Sequence, residues 1–197
     1  NIQGNPSVTN AQLGDTIRYH VVPTYYSSLG TERTVQNGKL IFLVDPELEF
    51  ESALHHPYQA QYRFTLNTTP QRVDNYKGTG KTAYVFDLDN FTLPKRTSTF
   101  SGVDRLYFNF KPTTSLEEGE HTVEAFLSWD NNSTDASGYA PNTVYSSATV
   151  DFLDKYDANN NGSTTDRLSY QSFKFNFIPP RAVILTKKQK LTTETNY

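Results

Sequence analysis

Cysteine and methionine are absent from this 197-residue chain, and tryptophan occurs once. Without cysteine there is no disulfide, no thiol nucleophile, no thiol redox chemistry and no thiolate-bound zinc. Side-chain packing must therefore hold the fold. Long apolar runs are missing too. None approaches the ~20 residues of a membrane-spanning helix, and no charged leader precedes an apolar stretch. Neither a spanning helix nor a signal peptide is read within these residues. An excess of one charge is also lacking. Eighteen Lys and Arg stand against 21 Asp and Glu, for a net charge of -3. The two signs are interspersed and form no basic stripe, which argues against nucleic acid as a partner.

What the chain does have is aromatic bulk. Thirteen Tyr and 13 Phe supply large buried areas to a sequence only 36% hydrophobic. Aromatics, Thr and Val in place of Ala and Leu make a strand composition. The dominant pattern has a period of two. Ile17, Tyr19 and Val21 alternate with polar residues, as do Leu40, Phe42 and Val44, and then Leu48 and Phe50. Tyr58 to Leu66, Tyr84 to Leu88, Leu106 to Phe110, Val123 to Trp129 and Ala148 to Phe152 repeat it. After Asp166 the apolar set is first Leu168 and Tyr170, then Phe173, Phe175 and Phe177. A one-residue change of phase predicts a β-bulge near Gln171 and Ser172. A last strand is expected over Ala182 to Thr186. No segment carries a sustained helical period. The expected fold is all-β, an antiparallel, elaborated immunoglobulin-like β-sandwich of about nine strands. One module is expected over 1–186, with residues 1–13 leading in and residues 187–197 linking to a following module.

Three stretches carry a family resemblance. Gly14-Asp15-Thr16-Ile17-Arg18-Tyr19-His20-Val21 resembles the opening strand of immunoglobulin-like repeats in bacterial, Gram-positive-type cell-surface adhesins. Leu43 to Ala53 is similar to the segment that follows there. Glu117-Glu118-Gly119-Glu120-His121-Thr122-Val123 is similar to their later glycine turn and strand. The resemblance implies a cell-wall-anchored, extracellular protein at the cell surface. It implies a role in adhesion or as a stalk repeat, with host or surface glycans, host proteins or neighbouring repeats as partners. It implies no catalysis and transfers no ligand site. An accessory carbohydrate-binding module of a secreted enzyme is the alternative. Some related surface domains carry a Lys–Asn isopeptide bond, for which Lys39 or Lys174 with Asn109 or Asn176 are the residues to consider.

Two places offer candidate sites. Asp157-Ala158-Asn159-Asn160-Asn161-Gly162 sets oxygen donors at alternate positions before a turn glycine, as in the first half of a calcium loop. Asp157, Asn159, Asn161 and Asp166 would be the calcium ligands. Leu168 stands where a bidentate Glu would be needed, so a polar hairpin loop explains the stretch equally. Trp129, Tyr139 and Tyr145 flank an Asn- and Asp-rich loop, and flat rings beside such side chains can hold a sugar or a protein. Trp129 also continues a buried register. Asp87 and Asp89 share a strand face but read as its wet side. Gly78-Thr79-Gly80-Lys81-Thr82 echoes a phosphate loop without its first glycine, and no helix is expected to follow.

Overall fold

The computed structural model describes residues 2–7, 9–23, 33–56, 66–88, 91–93, 105–129, 152–164 and 167–181. Thirteen strands lie among them: β1 Ile2–Pro6, β2 Asn10–Gln12, β3 Ile17–Pro23, β4 Arg33–Val35, β5 Gly38–Val44, β6 Leu48–His56, β7 Gln71–Val73, β8 Thr82–Leu88, β9 Phe91–Leu93, β10 Arg105–Pro112, β11 Gly119–Ser128, β12 Phe152–Leu153 and β13 Arg167–Ile178. The alternating run from Tyr58, the strand expected at Ala182 and the tail 187–197 fall outside the described residues, except that Leu66 bridges to Leu88.

The strands form a sandwich. One sheet has the order β1-β3-β10-β6 and the other β12-β13-β11-β5-β8-β7, with β2 added beside β13. Among the described residues of the two large sheets, only that last pairing is parallel. β4 and β9 make a small separate ribbon. Residues 1–13, expected as a lead-in, are thus partly built into the sheets. Their polar composition hides this, because β1 pairs along an edge and β2 is only three residues long.

Period-two alternation explains the core. Ile17, Tyr19 and Val21 of β3 and Leu106, Phe108 and Phe110 of β10 face inward from one sheet. Leu40, Phe42 and Val44 of β5, Tyr84 and Phe86 of β8 and Phe173, Phe175 and Phe177 of β13 meet them from the other. Rings cross the interface at tilted or edge-on angles: Phe42 to Phe108 is 4.5 Å between centroids and Tyr19 to Phe173 is 4.9 Å. Such pairs are favoured beyond the area they bury. The Tyr19 hydroxyl is fully buried with no hydrogen-bond partner among the described residues, and burial pushes its pKa well above the ordinary tyrosine range.

β13 corrects the bulge expected at Gln171. Its pairing with β11 runs without a shift from Gly119–Phe177 to Leu127–Ser169. The apolar set changes phase because the strand is apolar on opposite faces at its two ends. Phe173, Phe175 and Phe177 point into the sandwich, while Leu168 and Tyr170 point outward. There they join Ile41, Leu43, Ala83, Val85 and Phe126 in a second cluster on the outer side of the sheet. Residues 154–163 and a 3-10 turn at Tyr76–Gly78 cover that cluster through Ala158, Tyr156 and Tyr76. This is why β5 is buried along nearly its whole length.

The bulge lies instead between β10 and β6. Asn109 pairs with Ser52 but Phe110 pairs with Phe50, which leaves Glu51 as the extra residue. Leu48 and Phe50 face the core on one side of it. Beyond it the parity flips, so Ala53 packs on the core and Leu54 points out, 52% exposed.

Candidate functional site: the outer face of the four-stranded sheet

The two outer faces of the sandwich differ. The one on the seven-stranded sheet is roofed over. On the other sheet, the register places three rows of side chains side by side. Arg105 stands opposite His56. Tyr107 stands between His20 and Leu54. Asn109 stands between Arg18 and Ser52.

These side chains brace one another. The His20 ring stacks on Tyr107 at 5.0 Å with a 15° tilt, and His56 meets Tyr107 edge-on at 6.1 Å. The Arg18 guanidinium lies 5.6 Å from the Tyr107 ring centre. Its Nε donates to Asn109 Oδ1 at 3.0 Å, and Asn109 Nδ2 donates to Ser52 Oγ at 2.9 Å. The result is a row of flat groups held in place before any ligand arrives, which lowers the ordering cost of binding. Desolvation, and then the neighbouring Arg105 charge, lower the His20 pKa below its ordinary value. No carboxylate among the described residues pairs with Arg18 or Arg105. The nearest described acid of the sheet, Glu51, stands one row beyond Asn109, where it accepts from Thr16 and pairs with Lys111.

A second polar group ties the other end of the sandwich. His121 Nδ1 lies 2.7 Å from Asp45 Oδ2, and its Nε2 lies 2.8 Å from the Glu117 carbonyl. Lys81 Nζ is 3.6 Å from Asp45 and donates to the Thr122 carbonyl at 3.2 Å. The ring also stacks on Phe175. Both histidine nitrogens are committed to protein oxygens, so this pair works as a corner tie between β5 and β11, not as a base facing a substrate.

The Asp157 loop closes on itself. Asp157 Oδ1 accepts from the amides of Asn161 and Gly162 at 2.9 and 3.1 Å. Asp154 Oδ2 accepts from the Ala158 amide at 2.8 Å, and Asn161 Oδ1 from that of Ser163 at 2.8 Å. Asn159 Nδ2 donates to the Trp129 carbonyl. Positive φ at Asp157, Asn160 and Gly162 makes the sharp path possible. Lys77 then donates to the Asp157 carbonyl at 3.0 Å and to Asn160 Oδ1 at 2.6 Å. So Asp157, Asn159 and Asn161 do share one loop, while Asp166 is outside the described residues. Among the described residues no group of three or more His, Cys, Asp or Glu could hold a metal ion. Trp129 is half-buried at the end of β11, and Tyr139 and Tyr145 are outside the described residues.

The remaining sequence candidates have ordinary settings. Asp87 pairs with Lys39 at 2.7 Å on the sheet surface, and Asp89 is outside the described residues. Lys174 pairs with Glu120 at 2.6 Å. Each lysine considered for an isopeptide bond thus has its ammonium on a surface carboxylate, and Asn109 is engaged with Arg18 and Ser52. A strand, β8, and not the helix that a phosphate loop needs, follows Gly80. No helix among the described residues is long and apolar enough to cross a membrane.

No family model and no curated protein matches this chain. Solved structures give partial likenesses. Domains D2 and D3 of the major pilin SpaD from Corynebacterium diphtheriae align at 12% identity and a TM-score of 0.38, over 66% of this chain and 46% of that one. The chain therefore spans less than half of that pilin fragment. The Streptococcus suis adhesin Fhb, bound to the disaccharide receptor Gb2, aligns at 11% identity and a TM-score of 0.41, over 89% and 87% of the two chains. AvmM, which catalyses macrocyclization in alchivemycin A biosynthesis, aligns at 10% identity and 0.42, over 93% of each. At these identities and overlaps, none of them assigns a ligand, partner or activity here.

Proposed function

We propose that this chain is a non-catalytic binding module of a bacterial surface adhesin or pilin-like stalk, acting in attachment outside the cell. One observation carries the reading: among the described residues the sandwich covers one outer face and not the other, where Leu54 is exposed beside the braced His20, Tyr107 and Arg18. Rings held in place by their neighbours on a sheet face suit binding, because less order is lost when a ligand docks. The adhesin-like segments support the same reading. Each falls on a structural joint: the entry to β3, the β5–β6 corner between sheets, and the glycine turn before β11, where Gly119 has φ +132. A carbohydrate-binding accessory module would use the same face, and a catalytic domain beside it in the full-length product distinguishes the two.

The test is binding of the purified chain to a glycan array. Tyr107→Ala is expected to lower binding at least tenfold with the melting temperature little changed. Trp129→Ala run in parallel checks the alternative surface: loss on that variant alone moves the ligand to the Trp129 loop. No bound glycan at all, with the chain folded, removes the binding reading in favour of a passive stalk.

Lys77 is proposed to fill the cation's role in the Asp157 loop. Millimolar calcium is then expected to leave the melting temperature unchanged, while Lys77→Ala lowers it by roughly 1–3 °C. A rise of several degrees with calcium, reversed by chelator, would instead make the loop a calcium site.

A further inference from the structure

The open face is cationic although the chain as a whole is acidic, with a net charge of -3. Arg18 and Arg105 lie within one row of Tyr107 on either side, and His20 and His56 flank the same ring. The Arg18 guanidinium is spent on a neutral amide and a ring, not on an acid. Arg105 is exposed, and its charge is felt by His20. The nearest described acid of the sheet, Glu51, lies one row beyond Asn109, where it is taken by Lys111 and Thr16. Two guanidiniums that have no carboxylate partner among the described residues, beside one aromatic ring, are a receptor for an oxyanion carried on a ring-shaped body.

Resting on the binding-face reading above, we infer that the ligand of this face is an acidic polysaccharide whose carboxylate or sulfate groups are taken by Arg18 and Arg105 while a sugar ring lies against Tyr107 and Leu54. A sugar fits better than an acidic peptide for two reasons. The ring and Arg105 stand on β10, whose backbone is paired on both sides by β3 and β6, so the centre of the face gives a peptide strand no main chain to extend. Its remaining polar groups, Asn109 and Ser52, are an amide and a hydroxyl, which suit sugar hydroxyls. The charge on the face is local, so attraction to a polyanion weakens with ionic strength while the stacking contact does not.

The test uses calorimetry of the whole chain at low salt against heparin, polygalacturonate, neutral dextran and polyglutamate. Binding to heparin or polygalacturonate is expected, with little to dextran or polyglutamate. The tighter of the two polyanions tells sulfate from carboxylate, and either sustains the inference. Arg18→Gln with Arg105→Gln is expected to weaken binding at least tenfold. Lys39→Gln with Lys174→Gln, which removes the same charge from the other sheet, should change it less than twofold. Because Arg18 also braces its neighbours, Arg105→Gln alone is measured too, with about a threefold loss expected. Equal binding to dextran, equal binding to polyglutamate or an equal loss in the Lys pair each overturns the inference. Neutral glycans captured through Tyr107 on the array would overturn it while leaving the binding-face reading intact. Capture of nothing would remove both.

Discussion

Phe42→Ala is expected to destabilise the fold by about 3–5 kcal/mol. Phe42 sits on β5 with no exposed surface. Its ring meets Phe108 at 4.5 Å, Phe110 at 5.4 Å, Phe86 at 6.0 Å and Tyr19 at 6.3 Å. Those four neighbours come from both sheets, so they cannot close on the vacancy without shifting one sheet against the other. The cost should therefore lie toward the upper end of the range. With no disulfide to limit the unfolded chain, that is a large share of the roughly 5–15 kcal/mol typical of a domain. Urea denaturation checks it: the midpoint should fall with the slope unchanged. Phe50→Ala offers the contrast, since Phe50 is only partly buried. An equal loss at both positions would mean that the rings contribute by area alone and not by their place between the sheets.

The inner core was legible because it obeys one rule. Along most of β3, β5, β8, β10 and β11 every second residue is apolar, and each such set faces the other sheet. What the rule misses is what it does not encode. A strand buried on both faces looks irregular, so Leu168 and Tyr170 suggested a bulge where β13 only changes the side on which it is covered. A real bulge, at Glu51, left no mark, because Leu48, Phe50 and then Ala53 and Leu54 can be read in either parity. β1 and β2 are too polar and too short to announce themselves. The proposed binding face was hidden for a related reason. Arg18, His20, Arg105 and Tyr107 each look like the wet side of a strand. Only the register between β3 and β10, joined by contacts 91 residues apart such as Arg18 to Asn109, gathers them into one surface. The Asp157 loop is the opposite case. Its local chemistry was readable, but its closing partner, Lys77, comes from 80 residues away.

Phe126→Ala is expected to cost about 3 kcal/mol and to loosen the covered face first. Phe126 is fully buried, yet it points away from the main core. It stacks on Tyr156 at 5.6 Å with a 26° tilt. The Tyr156 hydroxyl donates to Glu124 at 3.1 Å and the Tyr170 hydroxyl at 2.8 Å, and Lys155 lies 3.5 Å from the same carboxylate. One ring and one carboxylate of β11 thus anchor the roof, beside its ties to Lys77 and Trp129. Without the ring, residues 154–163 lose their main apolar contact, and the amides of Ala158, Asn161 and Gly162 should exchange with solvent faster than those of β3 and β10. Hydrogen exchange read residue by residue checks this order, and uniform acceleration across both sheets would contradict it. The four-stranded sheet presents its proposed binding face on the opposite side of the sandwich from this roof. Any ligand affinity of that face should therefore survive Phe126→Ala while the protein remains folded, whereas Tyr107→Ala should remove it with the roof intact. Together the two variants separate the covered face, which holds the fold, from the open face, which is free to bind.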